Sequence, residues 1–61
     1  MRIGQYIEYI RQKQNIPVFQ MCDILMLVSE LEYDDIKKGR IKPTVVQMIM
    51  FVAATHCPLD V

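Results

Sequence analysis

The residues of this chain that could do chemistry fall in two adjoining groups. Asp23, Glu30, Glu32, Asp34 and Asp35 form an acidic run with no base anywhere from Gln14 to Ile36, and Lys37, Lys38, Arg40 and Lys42 follow at once. Clustered bases suit phosphate, because releasing the counterions around a nucleic acid supplies most of the binding free energy. Clustered acids repel phosphate and suit a basic protein surface, although one carboxylate can accept a hydrogen bond from cytosine N4. Neither group makes a catalytic centre. The chain has one histidine, no nucleophile with a base and an orienting partner, no glycine-rich phosphate loop, and too little length for a substrate pocket of ordinary size. His56 and Cys57 hint at metal, but zinc takes four ligands at regular spacing and the only other thiol is Cys22. The expectation is a binding protein with no catalytic residues, no metal and no cofactor.

The elements that position these groups belong to one small domain, residues 1–61. At this size only about 60% of the unfolded chain's surface is buried on folding, so the core is marginal and a partner chain useful. Apolar residues make up 52% and charged residues 23%, with three Pro and two Gly, which argues against disorder. Cys22 and Cys57 do not form a small secreted disulfide framework and read as reduced thiols, Cys22 as a small buried hydrophobe. No apolar run reaches the ~18 residues of a membrane span, and Met1-Arg2 opens an amphipathic pattern, not a signal peptide. The expected setting is cytoplasmic, away from membranes.

Apolar spacing and punctuation predict four helices. Ile3, Tyr6, Ile7 and Ile10 give the stripe of a helix over 2–14, with Glu8, Arg11, Gln12 and Lys13 on the wet side. Asn15-Ile16-Pro17 ends it, and Pro17 opens a second helix, 17–26, burying Val18, Met21, Cys22 and Leu25. Ser29 and Glu32 form a capping-box pattern that starts a third helix, 29–38, with Tyr33 and Ile36 inward and Gly39 in the left-handed position past its end. Thr44 and Gln47 form a second capping box, starting a helix over 45–55 with Val45, Met48, Ile49 and Val52 inward. Met21, Met26, Met48 and Met50 read as core filler. A short turn at Pro58–Val61 would bring the bundle from four helices to five.

The frame from Ile16 to Pro43, two short helices meeting at a tight turn and closing on Gly39-Arg40-Ile41-Lys42-Pro43, resembles the Cro/Xre-type helix-turn-helix family, the small phage-repressor-like domains. The resemblance covers nearly the whole chain and implies an all-α bundle and a dimeric, DNA-binding transcriptional regulator. It places Ser29, Glu30, Leu31, Glu32, Asp34 and Asp35 of the third helix at the bases of double-stranded DNA, and Lys38, Arg40 and Lys42 on phosphates. Three positions depart from the family pattern: Phe19 stands where a glutamine commonly reaches the backbone of DNA, Leu27 where a glycine makes the turn, and Asp23 where a small residue lets the helices close. Acids brought within a few ångströms of phosphate cost about 1 kcal/mol or more per pair even in high dielectric.

Those departures support a second reading, a helix-turn-helix frame repurposed to bind another protein. Phe19, Leu27 and Leu31 would then be the anchors, the acids would form the rim, and the target could be the basic DNA-binding face of a partner. On either reading the last helix offers Val46, Met50 and Ala53 at i, i+4, i+7 on a second apolar stripe, which predicts a homodimer with Met50 near its axis.

Overall fold

The computed structural model describes residues 2–57. Among them the chain forms four helices and no strand: α1 (Ile3–Lys13), α2 (Val18–Ile24), α3 (Glu30–Lys37) and α4 (Val45–Thr55). The turn expected at Pro58–Val61 lies outside the described residues. No helix among them is long and apolar enough to cross a membrane.

α1, α2 and α3 end in the same way, and that shared ending sets the turns. Past each helix a residue takes a left-handed conformation, Asn15 (φ 57°), Met26 (φ 57°) and Gly39 (φ 82°). The N–H one residue further on reaches back to a helical carbonyl: Ile16 to Arg11 at 2.9 Å, Leu27 to Cys22 at 2.8 Å and Arg40 to Asp35 at 2.8 Å. This is the Schellman arrangement, which satisfies carbonyls a helix end otherwise leaves open. Gly39 fits the expectation. The turn between α2 and α3, however, takes its left-handed residue at Met26, not at Leu27, and Leu27 packs half-buried against the core.

Ile7, Ile10, Met21, Cys22, Leu25, Tyr33, Ile36 and Phe51 form the core. Burying each of the larger apolar side chains contributes roughly 1.5–3 kcal/mol. α3 packs on α1 and α2, and α4 packs on α2. Phe51 lies edge-on to Tyr6 with ring centroids 6.3 Å apart. Two glutamine amides pin the ends of α4: Gln47 donates to the Leu25 carbonyl at 3.1 Å, and Gln14 to the Thr55 carbonyl at 2.9 Å. Gly4 is the close approach between α1 and α3, since a Cβ there would lie 2.8 Å from the Ile36 carbonyl carbon.

Three expectations are corrected by this packing. Glu8 and Arg11 are not simply on the wet side. Arg11 donates to Glu8 at 2.7 Å and to the Ile16 carbonyl at 2.8 Å, while the Tyr33 hydroxyl donates to Glu8 at 2.6 Å, so the three side chains lock α1 to α3. Hydrogen bonding from Arg11, reinforced by Tyr33 and Gln12, holds the Glu8 carboxyl down at about 2 against the opposing effect of burial. Burial and the carboxylate of Glu8 push the Tyr33 hydroxyl above its ordinary range.

The inward face of α4 is the second correction. Phe51 and Thr55 are buried and Met48 and Val52 half-buried, whereas Val45 and Ile49 face outward. Phe51 decides the rotation, because its ring is the largest side chain on the helix and only the core can enclose it. Among the methionines expected as filler, Met21 is fully buried and Met48 half-buried, but Met26 and Met50 are exposed. The third correction is at Ser29, whose hydroxyl makes no capping hydrogen bond. The Glu32 carboxylate closes the turn instead, accepting from the Val28 N–H at 2.9 Å. Thr44 and Gln47 do form the expected box, at 3.2 and 2.8 Å.

Candidate recognition surface

The two ends of α3 differ in chemistry. At its start Ser29, Glu30 and Leu31 are exposed, as the sequence predicts, with Leu31 at 77% and the neighbouring Val28 at 93%. On α2, Phe19 is 70% exposed. A phenyl ring left in water forgoes the burial free energy of a large apolar side chain, which makes Phe19, Val28 and Leu31 the candidates for anchors of an interaction. Leu27, predicted as the third anchor, is drawn into the core and does not belong to this surface.

The acids separate by role. Glu32 is half-buried and committed to the turn. Asp34 and Asp35 face the bases that follow them: Asp34 meets Lys38 at 3.1 Å, Lys37 at 3.6 Å and Arg40 at 3.6 Å, and Asp35 meets Arg40 at 3.1 Å. The hydrogen bond from Lys38, with the charges of Lys37 and Arg40, holds the Asp34 carboxyl below the ordinary carboxylate range. Glu30 is exposed and its side chain makes no hydrogen bond or ion pair among the described residues, and Asp23 on α2 is exposed as well. Buried beneath them, the Cys22 thiol is pushed up by burial, and the charges of Glu30 and Glu32 add to the shift.

Of the residues expected to hold phosphate, Lys38 and Arg40 are therefore already ion-paired within the chain, and Lys42 makes no ion pair among the described residues. Arg2 joins them, a residue that no local pattern singles out. Its guanidinium lies over Gly39, so close that a Cβ at Gly39 would stand 2.8 Å from Nη1. Arg2 and Lys42 flank a cleft of about 440 Å³ floored by Ile3, Ile36 and Ile41. Together Arg2, Lys37, Lys38, Arg40 and Lys42 set five cations against Asp34 and Asp35, so this end of α3 is positive while the other end is negative.

Val46, Met50 and Ala53, predicted as an interface stripe, are all exposed, and Val45 and Ile49 join them. The sequence did carry a signal for this phase. Met48, Phe51, Val52 and Thr55 fit i, i+3, i+4, i+7 as well as Val45, Met48, Ile49 and Val52 do. Cys22 and Cys57 are free thiols, and no group of three or more His, Cys, Asp or Glu residues able to hold a metal ion occurs among the described residues.

No family model matches the sequence, and no curated protein or solved structure matches it either.

Proposed function

We propose that the chain is a helix-turn-helix module that recognises another protein, docking the apolar start of α3 and the Phe19 ring into a recess rimmed by lysine and arginine. The observation that carries this reading is the exposure of Phe19 (70%) on α2 and of Leu31 (77%) on α3, where the adjacent Glu30 side chain makes no ion pair among the described residues. Desolvated aromatic and apolar anchors dominate interface energy, while charges at the rim steer encounter. A basic DNA-binding face on a partner has the complementary charge, so the module would act as an antagonist of a regulator. Free Cys22 and Cys57 suit a reducing, cytoplasmic setting.

The competing reading is the dimeric DNA-binding regulator that the family resemblance implies, with Lys38, Arg40 and Lys42 on phosphates. The surplus of cations around Gly39 favours it. Against it, Asp34 and Asp35 already offset the charge of Lys38 and Arg40 and repel an approaching phosphate, and the groove-facing positions offer Glu30 and Leu31.

The two separate in one set of measurements. Bait experiments in the native cell extract, run with nuclease, should retain a protein that Phe19→Ala or Leu31→Ala loses and Lys42→Ala keeps. The loss should be roughly 30-fold in affinity, about 2 kcal/mol, for a central anchor. Binding to mixed-sequence DNA that falls steeply with salt and is weakened by Arg40→Ala and Lys42→Ala would overturn the proposal.

A further inference from the structure

We propose that the cleft between the start of α1 and the loop after α3 binds a small anion with an aliphatic body, a free medium-chain carboxylate. At about 440 Å³ it falls within the roughly 300–1,000 Å³ of small-molecule sites, more than so short a chain leads one to expect. Ile3, Ile36 and Ile41 make the floor aliphatic throughout, and no acid lines it. Charge pairing sets its two cations apart from the other bases. Of the seven Lys and Arg residues, Arg11 is held by Glu8, Lys37, Lys38 and Arg40 by Asp34 and Asp35, and Lys13 lies over the Tyr9 ring. The remaining two, Arg2 and Lys42, make no ion pair among the described residues, and both line the cleft.

The backbone holds these groups in place. The N–H groups of Arg40 and Ile41 both donate to the Asp35 carbonyl, at 2.8 and 3.3 Å, which folds the loop back over the end of α3. Gly39 has no side chain, so the Arg2 guanidinium lies directly on it. The occupant follows from the chemistry. A bare inorganic anion leaves the isoleucine floor in water, and so does a nucleic-acid phosphate reaching Lys42 from outside. A neutral hydrocarbon leaves both cations unused. One carboxylate with a short alkyl tail uses both, its head on the charged hydrogen-bond donors and its tail on the floor. The cleft lies at the end of α3 opposite Leu31, so this site is separate from the protein-recognition surface and does not rest on it.

The test titrates hexanoate, octanoate and decanoate, each below its critical micelle concentration, into the isotope-labelled full chain and follows amide chemical shifts. Inorganic phosphate, octanol and anionic phospholipid vesicles are the comparison probes. Octanoate should shift the amides of Ile3, Gly4, Gly39 and Lys42 saturably, and each added methylene should tighten binding roughly fourfold until the floor is covered. Octanol and phosphate should each bind at least about tenfold more weakly, since each lacks one half of the match. Arg2→Gln combined with Lys42→Gln should weaken octanoate about tenfold or more with the circular dichroism unchanged, because both side chains are exposed. Should that pair fail to fold, Lys42→Gln alone should still weaken it about threefold. Four results overturn the proposal: octanoate shifts confined to α4 or to the surroundings of Phe19, a double variant that binds like the wild type, phosphate bound as tightly as octanoate, or vesicles bound with no response to free octanoate. Phe19→Ala should leave octanoate binding intact, so failure of this site and failure of the protein-recognition reading are read independently.

Discussion

Gly4→Ala reverses what helix propensity alone expects. At an exposed position inside α1, replacing glycine by alanine stabilises by about 1 kcal/mol. Gly4 is buried, and the added Cβ would stand 2.8 Å from the Ile36 carbonyl carbon and 3.3 Å from the Lys37 Cα. Carbon atoms are comfortable at about 3.5–4.0 Å, and the Ile36 carbonyl oxygen stands nearer still to the added Cβ, so α1 and α3 must part by more than about 1 Å. The obstruction is helix backbone, which cannot rotate aside as a flexible side chain would. Overpacking of this kind costs about 1–3 kcal/mol and sits at the upper end when the neighbour is rigid. The seam that opens also holds Ile7 and Ile36 and the hydrogen bond from Tyr33 to Glu8.

With the propensity gain set against the clash, the net loss is about 2 kcal/mol. A domain of this size is stable by only about 3–9 kcal/mol, so the melting temperature should fall by roughly 10 °C. Thermal and urea unfolding followed by circular dichroism at a fixed concentration measures this directly. A variant as stable as the wild type, or more so, refutes the close approach of α1 to α3 and the placement of Tyr33 against Glu8.

Two further outcomes follow from the packing. Because the folded Glu8 carboxyl titrates at about 2, below its ordinary 4.5, its contribution is present above pH 4.5 and lost as pH falls from there through about 2. That span corresponds to roughly 3 kcal/mol at the limit and about 1–2 kcal/mol after solvent screening of a partly exposed pair; in Glu8→Gln the acid-induced loss of stability across this window should shrink by that amount, and an unchanged pH profile would count against the network. Met26→Gly should raise stability by about 0.5–1 kcal/mol, since a left-handed conformation costs a side-chain-bearing residue more than the extra chain entropy of glycine; a lower urea midpoint for this variant contradicts the turn geometry.

Where the chain punctuates itself, sequence and structure agree closely. Asn15 before Ile16-Pro17, Gly39 after α3, and the Thr44–Gln47 box each act within four residues, and local chemistry is legible at that range. The exposure of Phe19 was visible too, as a departure from a family pattern. What escaped the sequence depends on distant partners. Glu8 and Arg11 look like a surface pair until Tyr33, 25 residues away, closes over them. Gly4 is an ordinary helical residue until α3 arrives beside it. The phase of α4 was ambiguous because a helix without charges has no wet face to fix its rotation, and only the volume of Phe51 settles it. Ser29 and Glu32 had the right types for a capping box, but the extended backbone at Ser29 gives the carboxylate to Val28.

Glu30 is the residue on which the two functional readings give opposite signs. Glu32 is held by the turn, and Asp34 and Asp35 by the bases that follow α3, so their presence is explained without a partner. The Glu30 side chain has no hydrogen bond or ion pair among the described residues, and its place in the first turn of α3 suits the positive end of the helix dipole by about 0.3–1 kcal/mol. Glu30→Gln should therefore cost little stability. If α3 docks on a basic protein surface, the substitution slows association and flattens its salt dependence while dissociation barely changes, as rim charges act on encounter. If α3 enters a DNA groove, the same substitution removes a repulsion and raises affinity for mixed-sequence DNA. Association rates measured at two salt concentrations, against the captured partner and against mixed-sequence DNA, decide the matter. Faster or tighter DNA binding by Glu30→Gln sinks the protein-recognition proposal.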